Sequence, residues 1–166
     1  MIINMKVKTK QCNSKMCIVC GLENPNSLKA PFYEMEDGSV ISIFEFKETH
    51  QSYPERTHGG LITAMLDELG LRCIWPIENT FGVTMEITTK FRKPVPYNQK
   101  LKGIGKVISN TPRFIQSHAE ILDLQDNILA EANIKYLKFL TDKIVLSNVN
   151  AEEHNIFVPD DVKEIN

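Results

Sequence analysis

Gly60-Leu61-Ile62-Thr63-Ala64-Met65-Leu66-Asp67-Glu68-Leu69-Gly70-Leu71-Arg72-Cys73-Ile74, followed by Trp75-Pro76, is the stretch on which the fold turns. It holds no internal proline, and Pro76 is its stop signal, so it predicts one helix over Gly60 to Ile74. The residues Leu61, Ile62, Ala64, Met65, Leu66, Leu69, Leu71, Cys73 and Ile74 run almost all the way round it. A helix that is apolar on nearly every side belongs in the middle of a protein, wrapped by other elements. Thr63, Asp67, Glu68 and Arg72 are its strongly polar positions, and each needs a reason to be there.

Outward from the helix the period changes to two. Upstream, Val40 to Phe46 alternates with apolar residues on both faces, which predicts a strand covered on both sides. Downstream, Val83, Met85, Ile87, Thr89 and Phe91 alternate with Thr84, Glu86, Thr88, Lys90 and Arg92, the pattern of a half-buried strand. Pro94-Val95-Pro96 ends it. Three more strands follow, at Leu101 to Ile108, Phe114 to Leu122 and Ile128 to Phe139, separated by turn residues. Gly103 and Gly105 share a strand face, which suggests close approach by another backbone. The economical arrangement is α+β: a curved antiparallel sheet wrapped around one central helix. Its open edges call for a second copy.

The 166 residues carry 19 Lys+Arg against 21 Asp+Glu, a net charge of −2, and 42% are hydrophobic. That balance excludes a wholly disordered chain and a nucleic-acid binder relying on overall positive charge. No apolar run approaches the ~18 residues of a membrane span. Residues 1–16 read as a polar, flexible leader, 17–140 as the folded domain, and 141–166 as a polar tail able to carry a short surface helix. A reducing, cytoplasmic location fits the four unpaired-looking cysteines.

Chemistry concentrates around the helix. Thr57-His58-Gly59-Gly60 precedes it, and the first N–H groups of a helix lack internal partners. With the helix dipole, they favour an anion or a developing oxyanion. A tight turn before a core helix accounts for the two glycines equally well. Asp67 lies about two turns after Gly59, on the stripe of Thr63. A carboxylate there is costly to bury unless it is paired or used, and its pKa would rise, which suits a general base or nucleophile. Glu68 has Arg72 four residues on, in the favourable order, and is assigned to structure. Cys12, Cys17 and Cys20 invite a zinc reading, but only one Cys-x-x-Cys pair exists, Cys73 is distant, and His50 is a conceivable fourth ligand without supporting spacing, so the Cys17–Cys20 pair is expected to be metal-free. Gly-x-Gly-x-x-Gly, Gly-x-Ser-x-Gly, Walker and His-Glu-x-x-His motifs are all missing, and no cofactor is expected.

Three motifs occur in order: Cys20-Gly21-x-x-Asn24-Pro25, His58-Gly59-Gly60 with Asp67 eight residues after Gly59, and Phe91-Arg92-Lys93-Pro94-Val95-Pro96. Together they resemble the hotdog-fold thioesterase superfamily, nearest to its phenylacetate-degradation-type acyl-CoA thioesterases, over roughly residues 17–139. The resemblance implies a hotdog fold, a homodimer with a continuous sheet or a dimer of dimers, and an acyl-CoA substrate, with neither nucleic acid nor membrane as partner. It implies that Gly59 donates its N–H to the thioester carbonyl and that Asp67 is nucleophile or base across the dimer interface. Thr84 falls where relatives place a hydroxyl that orients water. His58, Gly60, Phe91, Arg92, Lys93, Pro94, Asn110 and Arg113 fall at substrate-contacting positions, with Arg92, Lys93 and Arg113 offering charge to the coenzyme A phosphates. Two departures stand out. Ser52 replaces the polar amide some relatives carry seven residues before Gly59, and Arg72 stands where the hydratase branch places histidine, which argues against dehydration chemistry. Because hotdog folds serve both uses, a non-catalytic acyl-CoA-binding or sensing module is the alternative to a hydrolase.

Overall fold

The structure is a computed structural model that describes residues 5–77, 80–140 and 155–166. Its strands are β1 (Met5–Lys10), β2 (Tyr33–Met35), β3 (Val40–Glu45), β4 (Thr80–Phe91), β5 (Lys100–Asn110), β6 (Phe114–Leu122), β7 (Ile128–Leu140) and β8 (Glu164–Ile165), with one helix, α1 (Gly59–Arg72), between β3 and β4. The strands form one antiparallel sheet in the order β4-β7-β6-β5-β3-β2-β1-β8. The sheet curves around α1, which packs against β3 through β7. This is the hotdog arrangement expected from the sequence.

The helix sits where its sequence demands. Ile62, Met65, Leu66 and Leu69 are at most 3% exposed, and burial of each such side chain contributes about 1.5–3 kcal/mol. The helix comes so close to β5 that a Cβ on Gly103 would lie 2.6 Å from Leu69 Cδ1, and one on Gly105 would lie 2.6 Å from both Cys73 Sγ and the Leu69 carbonyl. The two glycines are the groove for the helix. It begins one residue before the expected start and ends at Arg72, with Cys73 as its C-cap. Residues 73–76 form a turn that includes Pro76.

Both termini differ from expectation. The leader is not free: Met5–Lys10 pairs with β2 on one side and with β8 on the other. Residues 155–166 form no helix. They run as an extended strap, bridged at Asn13–Ile156 and ending in β8, while the remainder of the tail at 141–154 lies outside the described residues. Asp160 anchors the strap by accepting from Tyr33 Oη and Lys10 Nζ, both at 2.7 Å. The physical reason is a second apolar cluster, Tyr33, Met35, Ile41 and Ile165 with Met5, Val7, Ile43 and Ile104, on the sheet face away from the helix. The terminal segments cover that face, which is why β3 reads as apolar on both sides.

β4 departs from simple alternation. Its pairing with β7 shifts between Thr84 and Glu86, so Met85 is the extra residue of a β-bulge. A bulge exchanges the two faces of a strand beyond it. Thr84 therefore shares the helix-facing side with Thr89, and Val83 and Met85 are turned outward, each more than half exposed. β4 is also the terminal strand of the sheet, so this apolar surface lies along an open edge.

Candidate active site

The bulge delivers Thr84 to Asp67. Thr84 Oγ1 lies 2.9 Å from Asp67 Oδ1 and 3.1 Å from Oδ2, and donates its proton to the carboxylate. From β7, Tyr136 Oη donates to the Asp67 main-chain carbonyl at 2.9 Å and lies 3.3 Å from Oδ1. Tyr136 is fully buried, and burial pushes its hydroxyl pKa far up, so it remains a donor. Burial also pushes the Asp67 carboxyl above the usual carboxylate range. The bonds from Thr84 and Tyr136 oppose that rise, and the nearby Glu68 charge adds to it. The result is a carboxylate that is desolvated, held in position and short of a cationic partner. Tyr136 was not legible from the sequence; its only signal is a place on the inward side of β7 with Ile134 and Ala132.

The neighbouring Glu68 has a different environment. It accepts from Arg72 Nε at 2.8 Å, and Arg72 is 1% exposed, stacked between Phe32 and Trp75 at 4.5 and 4.2 Å from their ring centroids. Arg72 Nη1 also donates to the Cys12 carbonyl at 2.6 Å. The pair joins the helix to the N-terminal segment, in line with a structural role for Glu68.

At the other end of α1, His58 is the N-cap, and its Nδ1 accepts from the Gly60 N–H at 3.0 Å. The His58 carbonyl accepts from Leu61 and Ile62. That leaves the Gly59 N–H as the one first-turn donor with no acceptor among the described residues. It opens into a cleft of about 370 Å³ lined by Arg56, Thr57, Gly59, Ile62, Phe91, Arg92, Lys93, Pro94 and Val95. The Phe91 ring covers Gly59, whose Cβ, if present, would lie 3.3 Å from it.

Not all the expected substrate residues meet there. Phe91 pairs with Ala130 and Phe114 with Leu137, so the Phe91–Pro94 and Asn110–Arg113 stretches lie at opposite ends of β7, about 24 Å apart at ~3.4 Å per residue. Within the chain they lie in two different places. Arg92 is partly committed, its Nε lying 3.1 Å from Glu131 Oε1, and Asn110 accepts from Lys138 Nζ. Lys93 is exposed on the cleft rim.

His50, once conceivable as a metal ligand, is buried and spoken for: Nδ1 accepts from the Lys47 N–H at 2.9 Å, so Nε2 donates to the Asn26 carbonyl at 2.8 Å. Cys17 and Cys20 sit in a tight turn beside Glu68. A hydrogen bond from Cys17 lowers the Cys20 thiol pKa to about 6, against the effect of burial, and Arg72 helps. No described helix is long and apolar enough to cross a membrane.

Residues 56–130, from the loop before α1 to the start of β7, match the family described as the thioesterase superfamily. No curated protein matches the chain. Solved structures do. A thioesterase superfamily protein superposes with a TM-score of 0.69 at 23% identity, over 73% of this chain and 59% of its own, so this chain spans less than two thirds of that protein. The E. coli PaaI protein of the phenylacetic acid degradation operon gives 0.62 at 16% identity, over 68% of this chain and 80% of its own. A hypothetical thioesterase from Streptococcus pneumoniae, solved with coenzyme A, gives 0.62 at 15%, over 66% and 85%. At such identities the structures speak for the fold, while the family match covers the segment that carries Gly59, Asp67 and Thr84. The fold is therefore that of the hotdog thioesterases, and the segment 56–130 is similar to the thioesterase superfamily.

Proposed function

We propose that this protein is an acyl-CoA thioesterase that hydrolyses the thioester to free acid and coenzyme A. The observation that carries the reading is the Asp67 carboxylate, held by Thr84 and partly stripped of water, on the same helix as an unpaired Gly59 N–H. Hydrolysis needs both parts. A base or nucleophile must act on one side of the carbonyl carbon, and a donor must meet the oxygen where negative charge develops.

Arithmetic decides how they cooperate. Gly59 and Asp67 are eight residues apart, about 12 Å along the helix at ~1.5 Å per residue, too far to act on one carbonyl. A second subunit resolves this. If two β4 edges pair about a two-fold axis, the strands run antiparallel, and the Phe91 end of one lies against the Thr84 end of the other. The Gly59 cleft of one subunit then faces the Asp67 of its partner. The same operation moves the Asn110–Arg113 end of the partner toward the Phe91–Pro94 end of the first, gathering the two separated sets of substrate residues. The exposed Val83 and Met85 are the apolar surface such an edge would cover.

In this arrangement Gly59 N–H stabilises the oxyanion, and Asp67, steadied by Thr84, either attacks the carbonyl or takes a proton from water. Lys93, Arg92 and Arg113 meet the phosphates. The coenzyme A in the Streptococcus pneumoniae structure supports this choice of carrier. The test is thiol release from a panel of aliphatic and aryl acyl-CoA esters by the parent and by Asp67→Asn. Turnover that depends on Asp67 supports the reading. Tight binding of acyl-CoA without turnover would replace it with the sensing module.

A further inference from the structure

We propose that Cys17, Cys20 and Glu68 form a binding site for one zinc-class divalent cation, with three protein ligands and a fourth position open to water. One ligand atom from each residue lies within 4.8 Å of the other two. On a tetrahedral centre with bonds of ~2.3 Å to sulfur and ~2.0–2.2 Å to oxygen, ligand atoms stand about 3.4–3.8 Å apart. Closing the difference takes side-chain movements of at most about 1.4 Å.

The turn that carries the cysteines fixes where their sulfurs stand. The N–H groups of Val19 and Cys20 both point at Cys17 Sγ, at 3.3 and 3.5 Å. The Gly21 N–H closes the turn on the Cys17 carbonyl at 2.8 Å, and only glycine fits, since a Cβ there would lie 2.3 Å from that oxygen. Two backbone donors fix the position of Cys17 Sγ beside Cys20, and the thiolates that bind metal form as the ion enters. Ser14 Oγ lies 3.3 Å from Cys20 Sγ and adds a further polar contact.

Charge closes the argument. Two thiolates and Glu68 carry three negative charges. A divalent cation and Arg72, 2.8 Å from Glu68, return three positive ones, so the half-buried cluster is neutral when loaded. Glu68 has two carboxylate oxygens, so its bond to Arg72 and a bond to metal are compatible. Two sulfurs and one oxygen select zinc-like ions over calcium or magnesium, which require oxygen sets. Cys17 is partly exposed, which provides an entry path. Loading displaces the thiol protons to solvent and leaves Cys17 and Cys20 as thiolates. Its effect is to tie the N-terminal turn to α1. A search of the sequence for cysteine and histidine partners misses this site, because its third ligand is a glutamate 48 residues beyond Cys20, on the helix.

The test uses the full chain, reduced and freed of metal by a chelator, titrated with Co²⁺ and then Zn²⁺ against a chromophoric competitor. We expect one ion per chain, a thiolate-to-cobalt charge-transfer band that zinc abolishes, and a zinc-dependent rise in Tm. Cys17→Ser and Cys20→Ser should lose the band, and Glu68→Gln should keep it with at least tenfold weaker binding. A fully reduced parent that shows no band and no stoichiometric zinc overturns the proposal, whatever the variants do. So does binding that survives in both cysteine variants.

Discussion

Thr84 Oγ1 sits 2.9 and 3.1 Å from the two carboxylate oxygens of Asp67, although the two residues come from different elements and Thr84 lies on the side of β4 that simple alternation turns outward. The β-bulge at Met85 makes the meeting possible, because it exchanges the faces of the strand between Thr84 and Thr89. Among the described residues the carboxylate therefore has hydroxyl donors in Thr84 and Tyr136 and no cation.

Asp67→Asn keeps size and packing and removes the basic oxygen. Thioester hydrolysis should fall by ~10²-fold or more, with folding intact by circular dichroism. In the parent, the acid limb of the rate profile should lie above the ordinary aspartate value, because burial raises this carboxyl. Thr84→Val removes a hydrogen bond that lowers it, so the limb should move to still higher pH. An acid limb that stays put in Thr84→Val would remove Thr84 from this role.

The same group makes stability depend on pH. Its pKa is raised in the folded chain above the unfolded value of about 3.9, so folding favours the protonated form. That contribution is fully present below about pH 4 and is lost as pH rises through the raised folded value. Asp67→Asn lacks it. Its Tm relative to the parent should therefore improve from pH 4 to pH 7, read by thermal melts across that range.

Glu68→Gln tests the neighbouring carboxylate. It leaves Arg72, 1% exposed, without its anionic partner, at a cost of about 3 kcal/mol, the lower end for a broken buried pair because Glu68 is itself 17% exposed. This exceeds the few tenths of a surface i,i+4 pair that the spacing alone suggests. At temperatures where the variant is folded, its rate should stay near the parent's. A folded but inactive Glu68→Gln would reverse the roles of the two carboxylates.

Lys93→Glu should raise KM for acyl-CoA several-fold with little change in kcat, since phosphate contacts lie far from the carbon attacked. Arg92→Glu is the less clean variant, because it also breaks the contact with Glu131. An unchanged KM in Lys93→Glu, Arg92→Glu and Arg113→Glu alike would mean that the carrier binds elsewhere.

Met85→Lys places a charge on the open edge of the sheet. Sedimentation should show the parent as a dimer or larger at micromolar concentration and the variant shifted toward monomer. Hydrolysis should fall in step, because Gly59 and Asp67 of one subunit cannot reach the same carbonyl. A monomeric variant with full activity would refute the shared site.

The central helix was legible because apolar residues on every side admit only one place for it, and Gly103 and Gly105 marked where its backbone would be met. Glu68 and Arg72 were legible because an i,i+4 pair is a local relation. Asp67 stood out as a costly charge on an apolar stripe. None of the long-range relations could be read this way. The pairing of residues 5–6 with 164–165 depends on an apolar sheet face that polar termini do not announce. The bulge at Met85 is one extra residue against β7 and leaves no mark in composition, yet it decides which hydroxyl meets Asp67. Tyr136 and the approach of Glu68 to Cys17 and Cys20 likewise exist only once strands and helix are packed. Local periodicity reports which face of an element is buried; which side chains from distant elements share that burial is settled by register and close packing, and these are properties of the folded chain alone.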